Sequence, residues 1–342
     1  MTRTICVYLF GSEPEIRAKL AGKLGKKGTA SDIRLYSYSK DFVIEVVDPI
    51  QFPQKKLSLY QTALMTDVPI ILIPLSGPDV YTGEFALLLE ALKFRNGIII
   101  IAHEDEYVNV NEIKEKIQKI FTKLEISKFP ILDINFSDGE SLLKLKELIC
   151  LQAEKRPIYS FSPQEDISRI DVDHIFPVTG VGTVILGRIR AGQLKRTEKL
   201  FVFPSKRTCI VRSIQISDVE QNSANVGDRV GLALRGLLPK DVERGFILSN
   251  SDKWEIKKRL RVRLTALPYS KIPEKGKTRH IIIGLQCVLA TVVDIEKISE
   301  TESKYWVDLE LDEEITFTFD EAAYLVDLNN KPSTIGFCEI KE

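Results

Sequence analysis

The sequence has no excess of charge of one sign and no long apolar run. Its 342 residues contain 48 Lys and Arg against 48 Asp and Glu. This balance excludes a global attraction to nucleic acid or to an anionic membrane, so any RNA contact must come from a local patch. No apolar run reaches the roughly 20 residues of a membrane-spanning helix, and the start MTRTICVYLFGSEPE carries only a short one. We therefore expect a cytoplasmic protein with no DNA partner and no membrane partner.

Cysteine and histidine are scarce. The 5 cysteines lie far apart and form no C-x-x-C pair, which argues against a disulfide framework and against a zinc site. The 3 histidines show no H-x-x-x-H or similar ligand spacing. No nucleophile motif such as G-x-S-x-G stands out either. We therefore predict no metal site and no catalytic residue.

Up to about residue 155, short apolar runs alternate with segments of helical period. The runs are rich in Ile and Val, as buried parallel strands are. They predict strands at residues 4–10, 42–48, 69–75, 97–103 and 130–134. Apolar side chains at helical spacing lie between them, and a last helix is predicted at about residues 140–153. The alternation predicts an α/β domain with a mostly parallel sheet.

After residue 155 the periodicity changes to short β-rich runs. Glycine and proline turns such as Gly180-Val181-Gly182 and Gly227-Asp228 interrupt these runs at the spacing typical of β-barrels. A second break near residues 250–253 divides the β-rich part into two. We therefore predict a multidomain α/β plus β protein, with an α/β domain over 1–155 and β-barrels over 168–252 and 253–342.

The first turn from strand to helix is where a nucleotide-binding P-loop would lie. The motif G-x-x-x-x-G-K-[ST] supplies backbone N–H groups and a lysine for phosphates, and a hydroxyl for Mg²⁺. Only Gly11 remains of it, because Arg17 stands at the lysine position and Ala18 at the hydroxyl position. Pro14 removes a backbone donor, and glutamates on either side of it repel an anion. An ordinary helix start is the simpler interpretation of this loop.

Two further nucleotide motifs are incomplete. The magnesium-linked D-x-x-G motif keeps Asp48 but loses its glycine, and the guanine-reading N-K-x-D position keeps only Asp105. Catalysis of phosphoryl transfer depends almost wholly on positioned charges. Failure at the phosphate, metal and base positions together therefore predicts no GTP or Mg²⁺ cofactor and no enzymatic activity.

The segments 173–204, 211–215 and 224–249 closely resemble the second domain of translational GTPases. They share its Gly180–Gly182 turn and its Val226-Gly227-Asp228 turn. Within that superfamily, the Asp173-His174 start and residues 212–215 look most like SelB, the selenocysteine-specific elongation factor. The resemblance implies a degenerate P-loop GTPase-like α/β domain followed by two barrels similar to domains 2 and 3 of elongation factor Tu. Shortened SelB-like paralogues occur in methanogens, where a role with pyrrolysine has been suggested.

The resemblance also implies a binding pocket. In SelB-type factors an Asp-His or Asp-Arg pair and the arginine of a GDR turn hold the aminoacyl end of tRNA, and these residues correspond to Asp173, His174 and Arg229. Arg229 can hold a polar or anionic group bidentately, and Asp173 can orient either partner. The alternative is a structural ion pair between Asp173 and Arg229 at the barrel rim.

These features lead to one hypothesis and two alternatives. The hypothesis is a translation factor that binds aminoacyl-tRNA, the ribosome or both, constitutively or through a partner, because the γ-phosphate switch is lost. The first alternative is an active GTPase with altered loops, which only Asp48 and Asp105 support. The second alternative is a protein-binding scaffold that keeps the fold without RNA contact.

Overall fold

The computed structural model describes residues 4–40, 42–104, 109–155, 167–299, 302–319 and 321–341. The chain divides into two compact units. The first comprises Met1–Ile158 with Leu328–Thr334, and the second comprises Tyr159–Asp327 with Ile335–Glu342. The first unit is built on an α/β sheet and the second on two β-barrels, which confirms the predicted fold class. The boundaries at residues 155, 168 and 252 stay a prediction.

The sheet of the first unit has the order β2-β3-β4-β1-β5-β6-β7. Its strands are β1 (Thr4–Phe10), β2 (Lys26–Ala30), β3 (Arg34–Ser39), β4 (Val43–Asp48), β5 (Val68–Ile73), β6 (Ile98–His103) and β7 (Ile131–Asn135). The neighbours from β4 to β7 pair in parallel, whereas β2, β3 and β4 pair antiparallel. All five predicted strands are present. The hairpin of β2 and β3 was not predicted.

The helices of the first unit follow these strands and cover the sheet. They are α1 (Pro14–Leu24), α2 (Leu57–Thr62), α3 (Val80–Ala91), α4 (Val110–Phe121) and α5 (Gly139–Glu154). Leu20 of α1 and Leu145 of α5 are fully buried with strand residues such as Val7 and Ile70. Burying one such side chain stabilises the fold by about 1.5–3 kcal/mol. Side-chain caps begin α3 and α5, where Asp79 and Asp138 accept backbone N–H bonds.

The first barrel is a closed ring of antiparallel strands. Its strands are β8 (Arg169–Val178), β9 (Gly182–Ala191), β10 (Gln193–Lys195), β11 (Lys199–Phe203), β12 (Arg207–Ile216), β13 (Val219–Gln221), β14 (Ser223–Asn225), β15 (Arg229–Arg235) and β16 (Ile247–Ser249). The order is β11-β16-β8-β9-β15-β12-β13, and pairing of β11 with β12 closes the ring. Strands β10 and β14 pair with each other in a separate two-stranded sheet. Its core consists of alternating apolar residues such as Val172, Ile185 and Leu232.

The second barrel closes in the order β17-β20-β19-β18-β21-β22. Its strands are β17 (Glu255–Ala266), β18 (Thr278–Ile283), β19 (Gln286–Lys297), β20 (Lys304–Phe317), β21 (Ala322–Val326) and β22 (Thr334–Lys341). Three arginines of β17 pair with acids on the adjacent strands. The pairs are Arg259 with Glu310, Arg261 with Asp308, and Arg263 with Glu339. The charges of these three arginines are therefore balanced locally by carboxylates.

Candidate functional site

The turn between β1 and α1 is short. Only three residues, Gly11 to Glu13, separate the end of β1 at Phe10 from the start of α1 at Pro14. The positions that would continue a P-loop already lie in the helix, where the Arg17 N–H donates to the Glu13 carbonyl at 3.1 Å. The Arg17 N–H is therefore bonded within the first turn of α1.

Gly11 is retained for a reason that involves no phosphate. A Cβ atom added at Gly11 would lie 2.9 Å from Leu72 Cβ and 3.3 Å from Arg17 Cγ. Real Cβ atoms essentially never approach another atom so closely. The surviving glycine of the motif is therefore explained by close packing between the turn, β5 and α1.

Arg17 fills the centre of this site and is fully buried. Its Nε donates to Asp48 Oδ1 at 2.8 Å, and its Nη1 donates to the Gly11 carbonyl at 2.5 Å. Its Nη2 donates to the carbonyls of Pro49 and Phe52 at 3.0 and 2.9 Å. The guanidinium thus joins the end of β1, the end of β4 and the turn that follows β4. The residue at the position of the missing lysine holds the protein's own groups.

Asp48 is the carboxylate retained from the magnesium-linked motif, and its charge is compensated internally. It is buried at the end of β4 and forms an ion pair with Arg17. Burial raises the pKa of Asp48, while the adjacent Arg17 acts in the opposite direction. Sequence reasoning named both residues but treated each as a separate remnant. No sequence signal indicated that they pair.

The other nucleotide positions contribute little. Ala18 is half-buried and offers only a methyl group. His103, at the lysine position of the N-K-x-D motif, places Nε2 2.6 Å from Asp133 Oδ1 on the adjacent strand. Asp105 lies outside the described residues. In the described part of the chain, no three His, Cys, Asp or Glu side chains are arranged to hold a metal ion.

In the first barrel, the structure brings Asp173, His174 and Arg229 together. Arg229 donates from Nε to Asp173 Oδ2 at 3.0 Å and from Nη2 to Oδ1 at 2.8 Å. His174 Nδ1 lies 2.6 Å from Asp173 Oδ1. Asp173 is 1% exposed, so this carboxylate is held from both sides inside the barrel wall. The ion pair considered as an alternative is therefore present in the structure.

A β-bulge in β8 positions the aspartate. Val172 pairs with Gly187 and His174 with Leu186, so Asp173 is the extra residue on its strand. A bulge redirects side chains at the point where it interrupts the ladder. Gly187 permits the close approach of the two strands, since a Cβ there would lie 2.6 Å from the Asp171 carbonyl. The sequence gives no signal for this register shift.

Sequence reasoning missed Arg244, which completes the cluster. Its Nε donates to the backbone carbonyl of Asp173 at 2.9 Å. Arg229 therefore holds the side chain of Asp173, and Arg244 holds its backbone. The signal that could have found Arg244 is its neighbour Gly245, at φ 93°, where a Cβ would lie 2.6 Å from the Leu285 carbonyl.

The electrostatics of the cluster favour an ionised aspartate. Burial alone would raise the pKa of Asp173, but Arg229 and His174 more than offset burial and hold this pKa well below its usual range. Both carboxylate oxygens are engaged, so Asp173 orients its two partners and is not available as a base. The side chain of Arg229 is 10% exposed.

The parallel-core sheet followed by two closed barrels is the architecture of translation elongation factors. The sequence profile of elongation factor Tu domain 2 matches residues 182–249. A crystal structure of the elongation factor SelB from Methanococcus maripaludis, in complex with the GTP analogue GppNHp, superposes with a TM-score of 0.85. It is 23% identical and covers 100% of this chain and 79% of that chain, so it supports the fold.

Two relatives define the family more closely. An uncharacterized protein of Methanocaldococcus jannaschii is 31% identical over 320 residues, which is 92% of this chain and 93% of the relative. The selenocysteine-specific elongation factor of the same organism is 27% identical over 341 residues, covering 93% of this chain and 71% of the relative. The chain belongs to the SelB-like branch of the translational GTPase superfamily. None of the helices in the described residues is long and apolar enough to cross a membrane.

Proposed function

We propose that this protein is a SelB-like translation factor that has lost GTP binding and hydrolysis and binds tRNA or the ribosome without a nucleotide switch. The observation that supports the loss is the buried Arg17, which joins Asp48 and the Gly11 carbonyl at the former phosphate and metal positions. This role places the protein in the cytoplasm and requires no GTP or Mg²⁺.

The energetics of the Arg17 site oppose a nucleotide. For phosphate or Mg²⁺ to reach Asp48, Arg17 would have to leave a position with four hydrogen bonds. Separating a buried ion pair costs about 3–5 kcal/mol, because the remaining charge stays desolvated. The first turn of α1 would also have to open to release the Arg17 N–H from the Glu13 carbonyl. These costs argue against the alternative of an active GTPase with altered loops.

Thermal unfolding with nucleotide tests the loss directly. We expect the same melting temperature with and without millimolar GTP or GDP and Mg²⁺. A ligand at 100 times its Kd would stabilise the native state by about 2.7 kcal/mol, which is readily seen as a shift. The SelB of Methanococcus maripaludis, crystallised with GppNHp, serves as the positive control. A nucleotide-dependent rise in this protein would contradict the proposal.

The proposed RNA site is the cluster of Asp173, His174 and Arg229. One relative carries the name selenocysteine-specific elongation factor. Arg229 lies within residues 182–249, which match elongation factor Tu domain 2, and Asp173 and His174 precede them on β8 of the same barrel. Asp173 fixes the orientation of Arg229 and His174, whose donor groups would then meet the aminoacyl end of a tRNA. Preorganised donors of this kind lower the entropic cost of binding. In this proposal, the ion pair between Asp173 and Arg229 supports the pocket by fixing the orientation of Arg229.

Filter binding of bulk aminoacylated and deacylated tRNA tests the pocket. We expect Arg229→Lys to weaken aminoacyl-tRNA binding by roughly tenfold, since lysine keeps the charge beside Asp173 but cannot reproduce the bidentate geometry. Arg196→Ala is the matched control, because Arg196 is an exposed arginine of the same barrel, paired with Glu220. Equal affinity in Arg229→Lys and wild type would remove the pocket assignment. If neither tRNA bound, the scaffold alternative would be favoured.

A further inference from the structure

The turn that follows β4 is held in place by Arg17. The segment of residues 49–56, called here the post-β4 segment, begins directly after Asp48. Arg17 Nη2 donates to the carbonyls of Pro49 and Phe52, at opposite ends of a tight turn closed by the Phe52 N–H to the Pro49 carbonyl at 2.9 Å. Phe52 is fully buried. The conformation of this segment therefore depends on a side chain that occupies the former nucleotide site.

The post-β4 segment carries a lysine that binds residues 328–334, which belong to the same unit. Lys56 Nζ donates to Ser333 Oγ at 2.7 Å and to the Asn330 carbonyl at 3.1 Å. It also lies 3.5 Å from Glu84 Oε1, and its side chain is only 13% exposed. Burial of both charges strengthens this contact relative to a surface pair.

Glu84 anchors the same seven residues from α3. It is 2% exposed, and its Oε1 accepts the Ser333 backbone N–H at 3.1 Å and the Tyr60 hydroxyl. Burial and the negative charge of Glu84 raise the pKa of Tyr60 well above its usual value, so the hydroxyl remains a donor. Lys56 and Tyr60 thus converge on one carboxylate next to Ser333.

An aromatic contact makes a second connection. The rings of Phe52 and Tyr81 lie with centroids 5.2 Å apart in an edge arrangement. Lys331 Nζ lies 4.6 Å from the centroid of the Tyr81 ring and donates to its hydroxyl at 3.4 Å. A cation over an aromatic face contributes attraction in addition to packing. Residues 328–334 are therefore linked to the post-β4 segment through Lys56 and through Tyr81.

We propose that Arg17 acts as a built-in ligand. It fixes the conformation of the post-β4 segment and, through Lys56 and Tyr81, the position of residues 328–334. Where a γ-phosphate orders a loop, the order is lost when the phosphate leaves. A guanidinium attached to the chain cannot leave. The first unit therefore keeps one conformation in the absence of any nucleotide. This inference goes beyond the proposed function, because it involves no RNA.

Hydrogen exchange on the full-length chain tests this coupling. Arg17→Ala is expected to speed exchange of backbone N–H groups about tenfold or more in both the post-β4 segment and residues 328–334. Millimolar guanidinium should restore protection by entering the space of the lost side chain, and the same concentration of sodium chloride should not. Lys19→Ala is the matched control, on an exposed position of the same helix. Loosening of the post-β4 segment alone, or of neither segment, would overturn the proposal.

A second variant tests the connection where Arg17→Ala does not fold. Lys56→Met keeps the length of the side chain and leaves the bonds of Arg17 to Pro49 and Phe52 intact. We expect faster exchange in residues 328–334, by about tenfold, while the Phe52 N–H stays protected. Unchanged exchange in residues 328–334 would show that Lys56 does not transmit the order. These outcomes are independent of nucleotide and tRNA binding, so they do not depend on the proposed function.

Discussion

At the level of single residues, the first unit contains a buried ion pair between Arg17 and Asp48. Both side chains are buried, and they lie 31 positions apart in the chain. The sequence identified Arg17 as a departure from a lysine and Asp48 as a remnant. It could not predict their pairing, because nothing in the local pattern of either residue depends on the other. A long-range polar contact is visible only in three dimensions.

The stability of this pair can be measured with single and double variants. We expect Arg17→Met to lower the free energy of unfolding in urea by about 3–5 kcal/mol, because it leaves Asp48 as an unpaired buried charge. Arg17→Met with Asp48→Leu should recover much of that loss, since apolar replacement of both partners is often nearly neutral. Lys19→Met on the exposed side of α1 is the control. Equal losses in the single and double variants would contradict a buried-charge origin.

The buried Asp173 predicts a dependence of stability on acid. An aspartate in an unfolded chain has a pKa of about 3.9, whereas Arg229 and His174 hold the pKa of Asp173 well below that range in the folded state. Ionised Asp173 therefore stabilises the fold above pH of about 4, and this contribution is lost as pH falls toward the folded pKa.

Melting temperatures of wild type and Asp173→Asn between pH 7 and pH 3 measure that contribution. We expect wild type to be the more stable protein by a constant margin at neutral pH, and the margin to shrink below a pH of about 4. Asp218→Asn, at an exposed hairpin turn, is the matched control. A margin that stayed constant throughout would show that Asp173 is not ionised in the native state.

At the level of elements, the sequence predicted the buried strands well and the edge hairpin poorly. Strands β1, β5 and β6 are buried along their whole length and are rich in apolar residues, because helices cover the sheet. Strands β2 and β3 read KKGTA and RLYSYS, which are short and half polar. The lysines of β2 suit an edge strand, since charge there discourages pairing with another chain. A hydrophobicity pattern identifies apolar buried strands but misses short, half-polar strands such as β2 and β3.

Alanine substitutions at two glycines measure close packing and helix propensity separately. Gly187→Ala should destabilise the protein by about 1–3 kcal/mol, because β8 and β9 would have to move apart at the bulge. Gly22→Ala in α1 should stabilise it by about 0.5–1 kcal/mol, because nothing lies within 4 Å of the added methyl group. Urea unfolding of both variants gives the comparison. A neutral Gly187→Ala would mean that the bulge does not depend on this close approach.

At the level of the whole molecule, the family resemblance predicted which residues lie together in the first barrel, but not how they bond to one another. The sequence of domain 2 predicted the barrels and the residues Asp173, His174 and Arg229, which the structure places in contact. It did not predict how these side chains divide the available hydrogen bonds, because that division depends on a register shift in β8 and on Arg244. The pairing of three β17 arginines with carboxylates shows that their charge is compensated locally.

The buried guanidinium of Arg17 also has an evolutionary consequence. A single substitution that removes Arg17 leaves the Asp48 carboxylate unpaired in the interior. A single substitution that removes Asp48 leaves the Arg17 guanidinium without this partner. Each substitution on its own lowers stability. The ion pair therefore makes either residue difficult to replace unless the other is replaced with it.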